Sequence, residues 1–217
     1  MATLREHERR WPASLAVLTV LGLQMVLPQQ ITAGPWWLPP VLELALLMPL
    51  VISNPLRLDR ETVALRKLAL TLVLALAAVN AGHLARLTAA VTDGRPIDPQ
   101  VLVHAALLIW ITNVVTGAVA LWEIDRGGPF ARDPRHARPA ERPDLLFPQM
   151  TGVPGWDAGT WQPSFIDYLF VAFTAATAFS PTDTMPLSAR AKALVAGISG
   201  ISLVTIGVVA ARAVNAL

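Results

Sequence analysis

Cysteine is absent from the chain, which excludes disulfides, thiolate-held zinc and a cysteine nucleophile. Charge is scarce: 15% of residues are Asp, Glu, Lys or Arg, against roughly 25% in an ordinary soluble domain. The net balance is only +2, too little to recommend a polyanion, so nucleic acid is set aside as a partner. The short catalytic signatures are missing too. No Gly-x-Ser-x-Gly elbow, phosphate-binding loop, His-Glu-x-x-His pair or dinucleotide fingerprint occurs, and neither an enzyme activity nor a cofactor is expected.

What the 217 residues do contain is 54% hydrophobic side chains, with a mean hydropathy of +0.52, gathered into long uncharged runs. A helix rising about 1.5 Å per residue needs about 20 such residues to cross about 30 Å of hydrocarbon. Residues 11–27 form the first run, preceded by Arg5, Arg9 and Arg10 and followed by no convincing small-x-small cleavage site, so it is read as a span rather than a leader. The second, residues 36–53, opens on Trp36 and Trp37, suited to a headgroup interface, and contains Glu43 and Pro49. The third, residues 68–90, becomes polar towards its exit with Asn80, His83 and Arg86. The fourth, residues 101–122, carries His104 and Asn113.

A Pro-, Gly- and Arg-rich stretch over residues 124–164 follows, expected to be an irregular extramembrane loop without a core of its own. Residues 165–179 are apolar but too short to span, and end in Ser180 and Pro181, both poor helix continuers. They read as a half-helix. Residues 193–211 span easily. The expected fold is therefore an all-α polytopic integral membrane bundle: five spanning helices plus a short re-entrant or sixth hydrophobic segment. Its three regions are a four-helix part (1–123), the polar loop (124–164) and a terminal hairpin (165–217).

Basic residues set the expected orientation, because short loops rich in Lys and Arg stay in the cytoplasm. With the N-terminus inside a bacterial inner membrane, the first 10 residues, the second-to-third loop and the long loop place 12 of the 17 inside. The final hairpin fits either a dip or a full crossing.

Polar residues inside these runs are the candidate chemistry. Glu43 sits mid-run, where an ionised carboxylate is expensive, and reads as a proton or cation site or as half of a structural pair. Thr182, Asp183 and Thr184 form a turn before the last helix, suited to binding an ion or to capping that helix, with Arg190 available to Asp183. His83 and His104 could ligate a metal with Asp98, but they match no established metal-ligand spacing and read first as interface anchors. Glu123, Asp125 and Arg126 read as a solvated helix end with a Glu123–Arg126 pair. Small and hydroxylated residues of the last helix, including Gly197, Gly200, Ser199, Ser202 and Thr205, suit close packing within one subunit or between copies.

The stretch TAATAFSPTDTMPLSARAK resembles the pore loop of the two-helix potassium channel superfamily. A short aromatic and threonine-rich helix with Thr174 and Thr177 leads to a turn ending in Asp183, with Pro186 and Arg190 beyond. Aligned on Asp183, residues 178–182 occupy the five filter positions but supply neither of its glycines nor its first threonine. Over most of its length the chain also resembles a group of uncharacterised bacterial membrane proteins, a domain of unknown function. The shared residues are Asp167, Tyr168, Phe170, Phe173, Thr174, Thr182, Asp183, Thr184, Val214 and Asn215. That group brings no activity with it.

The channel resemblance implies a protein that conducts or binds a monovalent cation, with Thr177, Ser180, Thr182 and Asp183 lining a constriction. Such a pore needs a homo-oligomer, a tetramer by the same resemblance. Two other readings stand beside it. One is a nonconducting membrane scaffold that meets a partner through residues 125–164; the other is a small proton-coupled transporter built around Glu43.

Overall fold

The computed structural model describes residues 10–32, 34–53, 62–133, 142–159, 161–177 and 183–214. Among these the chain is mostly helical: α1 (Trp11–Val26), α2 (Leu38–Ser53), α3 (Val63–Thr92), α4 (Pro99–Ile124), the single turn α5 (Pro129–Arg132), α6 (Phe165–Thr177) and α7 (Ala189–Val214). Three of them, α3, α4 and α7, are long and apolar enough to cross a membrane. At 16 residues each, α1 and α2 rise about 24 Å. The 13 described residues of α6 reach about 20 Å.

Local chemistry starts these helices where the sequence allows. Pro12 lies in the first turn of α1 and Pro99 in that of α4, positions whose N–H needs no partner. The Thr62 hydroxyl accepts from the Leu65 N–H (3.2 Å), and the Asp98 carboxylate accepts from the Gln100 N–H (2.7 Å). Ahead of α6, the Ser164 N–H and hydroxyl both donate to Asp167, each at 2.7 Å. Ser188 receives the Ala191 N–H (3.1 Å), capping α7.

Helices α1 to α4 pack in a ring, each against the next, and α4 closes it against α1. The outer wall of α4 also receives α6 and α7, which makes it the central helix. Two apolar clusters lie along these helices, the first within the ring and the second joining the end of α1, α3 and α4 to Val208 of α7. One holds Val20, Leu47, Leu76 and Val119; the other holds Leu27, Leu84 and Ile109. A third, with Trp122, Phe147 and Tyr168, joins α4 to α6 and α7.

The polar stretch after α4 is less irregular than its composition predicts. Residues Leu145–Leu146 form a strand, β1, paired antiparallel with β2 (Met185–Pro186), Leu145 opposite Pro186. Leu145 and Phe147 enter the third cluster, so the loop borrows the bundle's core. The solvated end expected at Glu123 and Asp125 is also corrected, because both are buried. The folded-back loop removes them from water, and partners drawn from four different segments offset the cost of burial.

Candidate functional site

Each strip of buried residues along the first three helices is apolar for several turns and then turns polar at one level. On α1 the residue one turn beyond Val20 is Gln24; on α2 the residue one turn before Leu47 is Glu43; on α3 the residue one turn beyond Leu76 is Asn80. Relative exposures are 4%, 1% and 1%. Because α2 runs opposite to α1 and α3, all three steps lead the same way out of one cluster.

Depth agrees with direction. Arg66 bonds Glu123 at one end of the ring, and Arg10 lines the same crevice as Glu123. Gln24 lies 14 residues beyond Arg10, and Asn80 lies 14 beyond Arg66, so each sits about 21 Å in along parallel helices. At that level the Gln24 amide N–H donates to Glu43 Oε1 over 3.3 Å. Gln24 also falls between Val20 and Leu27, and Asn80 between Leu76 and Leu84, the same two apolar clusters in each case. By helix rise the three side chains fall at one level, a polar layer bounded by the two apolar clusters.

That layer is under-satisfied. Glu43 Oε2, Gln24 Oε1 and both ends of the Asn80 amide have no hydrogen-bond partner among the described residues. Buried polar atoms are usually paired, because leaving one bare costs about 1–3 kcal/mol. Thr116 of α4, also buried with an unpartnered hydroxyl, lies seven residues from Glu123, about halfway to the layer. At the Arg10 and Glu123 end a crevice of about 10 Å³ opens between Arg10, Ser14, Val17, Leu47 and Glu123, room for about one water. His83 is buried on the same strip of α3 as Asn80.

The residues expected to line a pore are distributed differently. The Thr177 hydroxyl donates to the Thr174 carbonyl (3.0 Å), and its side chain borders an apolar groove of about 470 Å³ shared with Trp110 and Thr205. Asp183 is exposed. Ser180 and Thr182 lie outside the described residues, as does Asn215. Among the described residues no group of three or more His, Asp or Glu side chains could hold a metal ion.

A second polar assembly ties the hairpin to α4. Tyr168 donates its hydroxyl to Asp125 Oδ2 (2.7 Å), and the Asp144 N–H donates to Asp125 Oδ1 (3.0 Å). Arg190 grips Asp144 with two bonds of 2.6 Å, and the Arg126 N–H adds a third at 2.9 Å. Burial pushes the Asp144 carboxyl up, but the bonds from Arg190, Ser188 and the Arg126 N–H prevail and hold it below its ordinary 3.8. Arg132 stacks over Trp122 and Tyr168 and donates to the Trp122 carbonyl at 2.6 Å. These bonds satisfy the buried acids here; the Glu43 layer has no equivalent.

Sequence reasoning reached Glu43 but not its companions. Gln24 is one amide in an uncharged run, and Asn80 marks only a helix growing polar. The usable signal was the equal spacing from Arg10 and Arg66 on two parallel helices. Among known proteins the chain matches no family model, no curated protein and no solved structure.

Proposed function

We propose that this chain is a multi-pass membrane protein that takes a proton or a small cation into its N-terminal four-helix ring at Glu43, the core of a small transporter. The observation that carries the reading is the half-bonded Glu43 carboxyl, 1% exposed, with Oε2 unpartnered among the described residues and enclosed by helices of one chain. An acid at such depth is costly in lipid and marks an ion or proton route by default. In this reading α1 and α2 cross alongside α3, α4 and α7, giving five spans, with α6 as a short sixth segment.

The pore-loop reading requires several copies around a shared axis and places the chemistry at Thr177, Ser180, Thr182 and Asp183. The Glu43 reading needs only the ring. Proton and cation flux into liposomes carrying the purified protein separates them, run beside Glu43→Gln and Asp183→Asn at matched reconstitution. Flux lost in Glu43→Gln and kept in Asp183→Asn is the expected result. Loss in Asp183→Asn alone moves the chemistry to the hairpin, and no flux from folded protein under either gradient favours a scaffold. Gln at position 43 keeps an acceptor for the Gln24 amide, so the ring is expected to fold.

A further inference from the structure

Resting on the Glu43 reading, we infer that the polar layer is a binding site for a dehydrated monovalent alkali cation, held by Glu43 Oε2, Gln24 Oε1 and Asn80 Oδ1. Three features select this ligand over others. The unpartnered atoms are chiefly oxygens: one carboxylate, one amide carbonyl from α1 and one from α3. Oxygen donors of this kind suit hard alkali and alkaline-earth cations rather than soft metals.

Charge then narrows the valence. Glu43 is the one acid in the layer, so a single positive charge leaves it neutral, whereas a divalent ion would leave a net charge stranded between two apolar clusters. Counting acceptors separates a cation from a proton. A proton on Glu43 Oε2 can be donated to one neighbouring oxygen only, and the other amide carbonyl stays bare. A cation satisfies all three at once. The Gln24 N–H bond to Oε1 turns the Gln24 carbonyl away from the carboxylate's bonded oxygen and leaves it available as a ligand.

Access is shorter from one side. Glu43 is six residues from Trp37, about 9 Å along α2, against about 21 Å from the Arg10 and Arg66 end. Between the layer and that far end stand Val20, Leu47 and Leu76, all buried. The shorter way in is therefore from the end bearing the tryptophan pair, past Leu27 and Leu84, while the three aliphatic side chains close the longer path.

Dicyclohexylcarbodiimide, which adds to a protonated carboxyl in an apolar site, provides the test on the full-length protein in detergent. Labelling at Glu43, located by peptide mass, is followed in choline chloride and with added Na+, K+ or Ca2+. The expected result is that Na+ or K+ slows labelling about tenfold or more, and that Asn80→Ala still labels but needs about tenfold more of that cation for the same protection, the scale on which metal sites respond to loss of a supporting group. The wild-type result stands without the variant. Labelling of Glu43 that no monovalent cation slows overturns the cation site, while the proton form of the transporter reading survives. Protection by Ca2+ but by neither Na+ nor K+ overturns the valence argument. Absence of labelling, together with flux that persists in Glu43→Gln, overturns both.

Discussion

Asp125 has no exposed surface, yet it sits in the segment whose composition most suggests a solvated loop. Its two oxygens are shared between the Tyr168 hydroxyl and the Asp144 N–H, so removing one donor leaves a buried acceptor unsatisfied. Tyr168→Phe is expected to cost about 1–3 kcal/mol of stability for that reason, seen as a lower melting temperature of the detergent-solubilised protein. An unchanged melting temperature would mean that water replaces the hydroxyl. Asp144 supplies a pH-dependent counterpart. Its carboxyl is held below 3.8 in the folded chain, so the unfolded chain binds the proton more readily. The resulting stability is present above 3.8 and disappears as pH falls through the lower folded-state value. The wild-type melting temperature should therefore drop on acidification below that point. Asp144→Asn should start lower at neutral pH and decline less, and parallel curves for the two proteins would remove Asp144 from the acid limb.

At the scale of elements, what holds α7 against α4 is a fit that composition alone conceals. Gly117 lies where a Cβ would stand 2.5 Å from Ile198 Cδ1, and Asn113 donates to the Ile198 carbonyl (2.8 Å) and to Ser202 (2.9 Å). Ser199 reaches the Ala175 carbonyl of α6 at 2.8 Å. Two of the hydroxyls read from the sequence as packing aids thus serve contacts inside one chain. Gly117→Ala is expected to overpack the junction by about 1–3 kcal/mol. Adding Ile198→Ala should recover part of that loss, because the two sites share one space. Strictly additive losses in melting temperature would sink the account.

The same elements show what the sequence makes legible. Uncharged runs located the long helices α3, α4 and α7, because apolar spacing acts locally. The burial of Glu123 and the strand at Leu145 were hidden, since each depends on partners far away in the chain: Arg66 for one, Met185 and Pro186 for the other. Glu43 was visible as a lone acid in an apolar run. Its setting with Gln24 and Asn80 was not, because three helices must pack before their depths can be compared.

Taken as a whole, the molecule has two unlike ends, and the proposed cation route depends on which faces which compartment. One end carries Arg10, Arg66 and Glu123 with the folded loop beneath; the other carries Trp36, Trp37 and the α3–α4 turn at Arg95. The basic loops favour the first end inside, so a cation reaching Glu43 by the shorter path comes from outside. A chain without cysteine makes this directly measurable, since any introduced thiol is the only one present. Thr151 and Arg95 are both exposed. In right-side-out vesicles, an impermeant maleimide should label Arg95→Cys at once and Thr151→Cys only after the bilayer is opened. The reverse pattern would invert the molecule and turn the proposed entry towards the cytoplasm. Labelling of both from one side would mean that α4 does not cross, and the four-helix ring could not then enclose Glu43 within the bilayer.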